Sequence, residues 1–460
     1  MNSVYLASKI LLCQCSSPDL YFRVLSASLQ TSNSPLMKAI LRQWALEFLQ
    51  VLAKRRLAQI RPLIVGVTGS VGKTGAKDAI AEVLGRRFSV RKSEKNLNSE
   101  FGTVLTILGL KTGYGSASSW VGIFWKAIRE SFKKPEKYQM LVLEMGVDKP
   151  GDMDDILKVF TPNIMVFLNV KNVHIGEGQF ANRQAVYEEK SKAVVAVPPG
   201  GWVILNHDDT FIRQLEGHLP AHTVTVGTEE GADLRATDIE MGTEGLLFTL
   251  AYDKKEFLVK LPHILGESHV TLVLASIAVG LVNGMPWKAI QKALEEFRLP
   301  PGRMNKIEGK NGSLILDSTY NASPDTMESS LEILALFHGR KIAALGTMNE
   351  LGELSVSEHI KIGKVTAQKA DMLLAVGEHA KDLAEGAQRG GMSASMIHIF
   401  KNSKEAGQFL SNILDKHDVV LAKGSQNRVR MEHLVKMCMK HPEDARHLLV
   451  RQDPHWLKHI

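Results

Sequence analysis

The 460-residue sequence predicts an α/β protein. It reads as a central P-loop ATPase-type domain with a mostly parallel sheet, then a smaller Rossmann-like C-terminal domain, behind a short helical N-terminal segment. Three observations carry this. The apolar run Leu63, Ile64, Val65 enters the glycine-rich turn GVTGSVGKTGAKD (66–78), and Ala76–Leu84 follows with helical character. Residues 61–262 alternate strand-like and helix-like stretches, and 305–460 restart that alternation. Hydrophobic content of 44% and charged content of 23% are ordinary for a globular chain of this length.

Taken in order, residues 1–60 form an N-terminal extension. The first 35 show no period. From Met37 onward Ile40, Leu41, Trp44, Phe48, Val51 and Leu52 recur at helical spacing, with Lys38, Arg42, Glu47, Lys54 and Arg55 opposite. That is a basic amphipathic helix, suited either to packing on the next domain or to lying on an anionic membrane.

Residues 61–304 are the expected central domain. A glycine turn between a strand and a helix lets backbone N–H groups surround phosphate oxygens, while Lys73 adds a charge and the Thr74 hydroxyl a ligand for Mg²⁺. The pattern is TGxxGKT, with Val67 where the commonest loop has glycine. Met140–Met145 reads as a second buried strand ending near Glu144. Ile164–Val170 reads as a third that runs on to His174. Ligands collect at the carboxyl ends of parallel strands, so an acid and a histidine there suit Mg²⁺ and phosphate. Residues 111–137 carry a further helical stripe, Trp120, Phe124, Trp125 and Ile128, of a core or membrane-surface helix. A helix over Ser268–Asn283 and the turn Pro300-Pro301-Gly302-Arg303 close the domain. Residues 305–460 supply strands at 314–317, 341–346, 372–377, 398–401 and 419–425, without a phosphate loop of their own.

Net charge is +7, gathered at Lys54-Arg55-Arg56, Arg86-Arg87, Lys133-Lys134 and 423–447. It favours anionic ligands, but no basic stripe is interleaved with aromatics, so nucleic acid is not an expected partner. Cys13, Cys15 and Cys438 are too few for a disulfide framework or a four-cysteine zinc site, which points to a reducing, cytoplasmic setting. No apolar run has membrane-spanning length, and the N-terminus does not read as a signal peptide.

The segments TGSVGKT, LEMG (143–146), His174 followed by Lys190, and PGR (301–303) resemble the Mur ligases of peptidoglycan synthesis. KNLNSEFGTVLTILGL (95–110), DSTYNASPDTM (317–327), GTMNELGELSVSEH (346–359) and VLAKGSQNRVRME (420–432) resemble the branch that joins D-alanyl-D-alanine to UDP-N-acetylmuramoyl-tripeptide. The resemblance spans roughly 61–435, with its motifs in family order.

It implies an ATP-dependent amide-forming ligase of cell-wall precursor synthesis, and through it of cell shape and division. ATP phosphorylates an acceptor carboxylate, an amine attacks the acyl phosphate, and an amide, ADP and phosphate result. By the resemblance, Gly69, Ser70, Gly72 and Lys73 hold the phosphates. Thr74 and Glu144 share one Mg²⁺, and His174 binds a second. Lys190 matches the lysine that CO₂ carbamylates into an anionic metal ligand, although Lys192 nearby leaves an ordinary surface lysine as the other reading. His269 stands where the family holds adenine. Arg303 and Asp317 match contacts to γ-phosphate and ribose. Asn98, Tyr320, Asn321, Ser323, Lys423 and Ser425 fall on substrate, the last two facing the dipeptide.

There are departures. Gly75 and Ala76 replace hydroxyl residues, Ser268-His269 replaces a His-Asn pair, Val104 replaces a proline, and 111–137 reads as an insertion. Residues 1–60 show no pattern of the family's UDP-gripping domain. The acceptor is then expected to be held without that domain, or by a separate protein, or not to be nucleotide-linked, and Met37 is a candidate start. The expected partners are a nucleotide-linked cell-wall precursor and D-alanyl-D-alanine, with membrane or protein contact through 37–57 or 111–137 and a cytoplasmic site peripheral to the membrane's inner face. The alternatives are a folylpolyglutamate or cyanophycin synthetase-like ligase, or a non-catalytic nucleotide-binding protein.

Overall fold

The computed structural model describes residues 35–94, 98–110, 117–171, 176, 179–426, 428–453 and 456–457. Among these residues nine strands form the first sheet: β1 (Leu63–Thr68), β2 (Val90–Lys92), β3 (Met140–Glu144), β4 (Ile164–Phe167), β5 (Trp202–Asn206), β6 (His222–Gly227), β7 (Leu234–Gly242), β8 (Gly245–Tyr252) and β9 (Lys255–Leu261). Their order is β2-β3-β1-β4-β5-β6-β7-β8-β9. Strands β1 to β6 are parallel, and the four central ones, β3, β1, β4 and β5, are almost wholly apolar, as burial on both faces requires. The chain first builds outward from β1 to β2, returns through β3, and then crosses to β4 on the other side. The carboxyl end of β1 therefore lies at the reversal of strand order, where open sheets bind ligands.

Two layers cover this sheet. On one face the helices Lys73–Gly85, Val270–Val282 and Trp287–Glu296 bury Ala76, Ile80, Val273, Ile277 and Ile290. On the other, Pro35–Ile60, Glu100–Leu108, Ala117–Phe132 and Arg183–Val195 bury Leu49, Ile107, Phe124 and Val186. The N-terminal helix and the helix of the 111–137 segment are thus packed on the core, through Leu46, Leu49, Leu52 and Ala53 and through Phe124 and Ala127. Two members of the expected apolar stripes, Val51 and Trp125, instead lie exposed on the outer side.

The second sheet contains β10 (Asn305–Glu308), β11 (Leu314–Ser318), β12 (Lys341–Gly346), β13 (Met372–Val376), β14 (Ile397–Phe400) and β15 (Val419–Lys423). Their order is β10-β11-β15-β12-β13-β14, parallel except for β10. Helices Pro324–Ala335, Ser355–Lys369 and Ala380–Arg389 cover one face, and Ser403–Ile413 with Glu432–Cys438 the other.

The sequence reading needs three corrections. Residues 234–261 do not continue the strand–helix alternation but form the antiparallel meander β7-β8-β9, with alternating burial along β8. The helix expected from Ser268 begins at Val270 after a single turn at Glu267–His269, and Trp287–Glu296 was not anticipated. The third strand ends at Phe167, and His174 lies outside the described residues.

Leu49, fully buried against the sheet, tests whether the N-terminal helix is part of the fold. Leu49→Ala should destabilise the protein by about 2–5 kcal/mol through lost burial and a residual cavity. A shift in denaturant midpoint measured by circular dichroism reads this, and an unchanged midpoint would mean that the helix contributes nothing to the core.

Candidate active site

The glycine loop leaves β1 and turns into the helix Lys73–Gly85. Gly69 has φ 153°, and a Cβ there would lie 3.1 Å from Leu168 Cβ, so the loop needs glycine. Asn169, just past β4, holds the loop from outside. Its Oδ1 accepts the Ser70 and Val71 N–H groups at 3.0 and 2.9 Å, and its Nδ2 donates to the Val71 carbonyl at 3.0 Å. Ser70 Oγ accepts the Lys171 N–H at 2.8 Å, so this hydroxyl is engaged by the chain. Gly72 caps the helix without a side-chain acceptor, leaving the first-turn N–H groups and the helix dipole directed at the loop. Thr74 sits half-buried in that turn. Lys73 folds its ammonium back onto the Gly69 and Ser70 carbonyls at 2.8 and 3.1 Å. Burial lowers its pKa, Glu144 and Asp148 oppose that, and Arg303 adds to it.

Glu144 ends β3 directly beside β1, in register with Val67. It is buried, and its Oε1 accepts from Asn98 Nδ2 at 3.0 Å. Oε2 is buried with no hydrogen-bond partner among the described residues. Asn98, expected on substrate, donates to this carboxylate. An unsatisfied buried carboxylate oxygen costs free energy unless a donor or cation meets it. A divalent ion beside Thr74 fits that oxygen.

Lys190 lies in the helix Arg183–Val195, buried to 1% exposure. Burial first, and then the charge of Lys73, bring its pKa down to about 7, against opposing pulls from Asp148 and Glu189. Lys192 is the contrasting case. It is partly exposed and ion-paired with Asp154 at 2.6 Å and Glu189 at 2.8 Å, and those bonds raise its pKa. Glu189 in turn accepts the N–H groups of Gly151 and Met153 at 3.0 and 2.8 Å, fixing the turn after β3. The environment of the two lysines therefore separates what their spacing could not.

A second cluster sits where the chain passes between the sheets. Gly302 has φ 76°, and a Cβ there would lie 2.8 Å from both Tyr320 N and Val450 Cγ1. Its N–H donates to Asp317 Oδ2 at 3.0 Å, and its carbonyl accepts the Tyr320 N–H at 3.0 Å. Arg303 is then laid over the Tyr320 ring, 4.3 Å from the centroid. Asp317, expected against ribose, is wholly buried. Its other oxygen accepts the Thr319 hydroxyl at 2.6 Å, and burial brings its pKa up to about 6. It clamps the Arg303 turn. His269 is held neutral, its pKa lowered to about 4 by burial and by Arg303.

Lys423 and Ser425, expected to face a dipeptide, are buried struts. Lys423 Nζ donates to Ser318 Oγ and to the Asn321 carbonyl, both at 3.0 Å. Burial and Arg303 bring its pKa down to about 7. Ser425 Oγ donates to the Ala322 carbonyl at 3.1 Å and accepts the Asn349 N–H at 2.9 Å. Ser323 caps the helix Pro324–Ala335, while Asn321 is exposed and Tyr320 half-buried. Arg303 joins the two groups, since its charge acts on Lys73, His269 and Lys423 alike.

Two domain families match in this order: the Mur ligase middle domain over residues 67–280, and the Mur ligase glutamate ligase domain over 302–426. The chain belongs to the Mur ligases. Members of this family are ATP-dependent enzymes that form carbon–nitrogen bonds. Among its relatives, the UDP-N-acetylmuramoyl-tripeptide–D-alanyl-D-alanine ligase of Bacillus subtilis is 28% identical over 397 residues, covering 86% of this chain and 79% of that protein. Of solved structures, MurF from Acinetobacter baumannii aligns with a TM-score of 0.73 and 28% identity, over 85% of this chain and 79% of the other. The MurF ligase from Thermotoga maritima in complex with ADP aligns with a TM-score of 0.69 and 28% identity, over 87% and 84%.

Several residues of this Mur ligase site escaped the sequence reading. Asp148 acts electrostatically on both Lys73 and Lys190. Lys77, one helical turn after Lys73, is buried and donates to the Ser93 carbonyl at 2.7 Å. Ser93 Oγ accepts the Glu144 N–H at 3.3 Å, which ties the phosphate-loop helix to the strand of that carboxylate. Glu432, fully buried, accepts Arg430 Nε and Arg451 Nε at 3.0 Å each. Arg451 also donates to the Thr319 and Tyr320 carbonyls at 2.6 and 3.2 Å. Asn169 shows a readable signal, a polar residue directly after a buried strand, but which loop it holds depends on the fold.

Asn169→Ala removes three hydrogen bonds from the phosphate loop and leaves the core untouched. Each bond is worth about 1 kcal/mol, so ATP affinity should fall by roughly tenfold or more. Titration calorimetry with ATP measures this, and an unchanged dissociation constant would show that Asn169 does not shape the nucleotide site.

Proposed function

We propose that this Mur ligase joins D-alanyl-D-alanine to the terminal carboxylate of UDP-N-acetylmuramoyl-tripeptide or a closely related acceptor, in peptidoglycan precursor synthesis in the cytoplasm. Residues 61–304 supply the ATP-binding half and 305–460 the half that closes on the amine donor. One observation carries the reading: Lys73 on its glycine loop, the half-satisfied Glu144 and the buried Lys190 are gathered at the reversal point of the sheet.

The chemistry fits that gathering. An acceptor carboxylate oxygen attacks the γ-phosphorus of ATP, and the bond to the β–γ bridging oxygen breaks to release ADP. The donor amine then adds to the acyl phosphate, and phosphate leaves with the former carboxylate oxygen. Both steps bring anions together, so the catalyst must first neutralise and align charge. Lys73 and the loop N–H groups hold the β- and γ-phosphates, and Arg303 approaches from the turn between the two sheets. Thr74 and Glu144 would hold one Mg²⁺, and Lys190, once carbamylated, would offer oxygen ligands beside it; the ion when bound spreads the charge of the transferring phosphoryl group. With its pKa near 7, Lys190 has a substantial unprotonated fraction at neutral pH, the form that adds CO₂ to give a carbamate. The exposed Asn321 and Ser323, with the half-buried Tyr320 beside them, are the side chains offered to the donor.

The test is product formation by purified protein from ATP, UDP-N-acetylmuramoyl-tripeptide and D-alanyl-D-alanine. Lys73→Ala should abolish ligation and ATP turnover while leaving the circular dichroism spectrum unchanged. Near-normal turnover by that folded variant would refute the nucleotide assignment.

A separate prediction concerns Lys190. Lys190→Ala should lose activity by orders of magnitude and recover part of it with added formate or acetate. The wild-type protein should show a carbamate ¹³C resonance under ¹³CO₂ that the variant lacks. Full activity of Lys190→Ala without additive would make this lysine a packing residue.

A further inference from the structure

We propose that the helices Pro35–Ile60 and Ala117–Phe132 together form a docking face for an anionic lipid surface. They lie side by side, with the Phe48 and Phe124 ring centroids 6.0 Å apart and Arg56 Nη1 donating to the Lys133 carbonyl at 2.9 Å. Their inner sides are spent on the core: Leu46, Leu49, Leu52 and Ala53 from one, Phe124 and Ala127 from the other. Their outer sides are not polar, as two solvated helices would be. Val51 is 65% exposed, Trp125 58% and Phe132 66%, three of the four most exposed large apolar side chains among the described residues.

Helical spacing makes these one patch. Trp125, Arg129 and Phe132 share a face of the second helix, and Val51 and Arg55 share the adjoining edge of the first. Arg55 bridges them, its guanidinium 4.5 Å from the centre of the Phe132 ring. Around the apolar centre stand six exposed cations: Lys54, Arg55, Lys126, Arg129, Lys133 and Lys134. The acids on these stretches are Glu47 and Glu130, and Glu130 is already bonded to Lys133 at 2.8 Å, with Arg129 at 3.4 Å.

This charge pattern selects the occupant. A second copy of the chain would set six cations against six, whereas an anionic bilayer neutralises them while its headgroup region receives the tryptophan and phenylalanine. No described helix is long and apolar enough to cross a membrane, so the contact lies on the surface. The face also adjoins the site. Helix Glu100–Leu108 meets it through the Phe101–Trp120 ring pair at 5.4 Å, and Asn98, just before that helix, holds Glu144.

The experiment is sedimentation of the full chain with vesicles of phosphatidylcholine alone, or of phosphatidylcholine and phosphatidylglycerol at about 7:3. The anionic vesicles should bind at least tenfold more protein, and the difference should shrink as salt rises. The double variant Trp125→Ser/Phe132→Ser and the double variant Arg55→Glu/Arg129→Glu should each lose about tenfold or more of that binding, with unchanged thermal melting and ATP turnover. No preference for anionic vesicles would overturn the proposal, as would variants that bind like wild type. A concentration-dependent dimer seen by light scattering, and abolished by the apolar double variant, would also overturn it by assigning the face to self-association.

Discussion

The buried Asp317 carboxylate receives the Gly302 N–H on one oxygen and the Thr319 hydroxyl on the other. Through those bonds the turn leaving the first sheet is fixed to the second. Arg303 follows that turn by one residue, and its place over Tyr320 of the second unit fixes the cation whose charge reaches Lys73. Burial works against ionisation of Asp317, and donors from Gly302 and Thr319 work for it. The carboxylate is therefore tolerated because every bond it makes is to the segment it organises. Were it merely deleted, Gly302 and Thr319 would lose their acceptor in a place water does not reach.

The electrostatics of the site make sense only as preparation for anions. Arg303 repels both Lys73 and Lys423, and burial of Lys190 and Lys423 brings both pKa values down to about 7. Substrates bearing phosphates and carboxylates would reverse each of these effects, so ligand charge completes a field that the folded chain leaves unbalanced. Glu144 is the complementary case, an anion with one oxygen held and the other without a partner among the described residues.

What the sequence made legible follows from how locally each signal is written. The strand, glycine turn and helix of the phosphate loop are contiguous, and a buried parallel strand such as MLVLE betrays itself by its unbroken apolar run. The meander β7-β8-β9 was missed because the charged residues of β7 and β9 break the apolar runs that mark the buried strands, and β8, largely apolar, does not show in its sequence the alternate burial that it has in the sheet. Lys190 and Lys192 could not be separated by spacing, because burial decides between them and burial is a property of the assembled fold. Asp317, Lys423 and Ser425 read as ligand contacts in the sequence, and their positions alone could not reveal the internal hydrogen bonds that each makes in the fold. Asn169, Asp148 and Lys77 act across gaps of many residues, which no local pattern records.

The Arg430–Glu432–Arg451 network has a practical bearing on how the protein can be cut. The recognisable ligase domain stops at residue 426, while the guanidinium that holds the Thr319 and Tyr320 carbonyls comes from Arg451. A fragment trimmed to the domain boundary would look complete by homology. It would nonetheless lose Glu432 and both its arginines, and with them the backbone support beneath the ring that carries Arg303. A cut placed between 432 and 451 would be worse, since it would leave a fully buried carboxylate with only one of its two cations. Expression fragments and fusion junctions therefore belong beyond Trp456, whose carbonyl accepts Arg430 Nη1 at 3.0 Å.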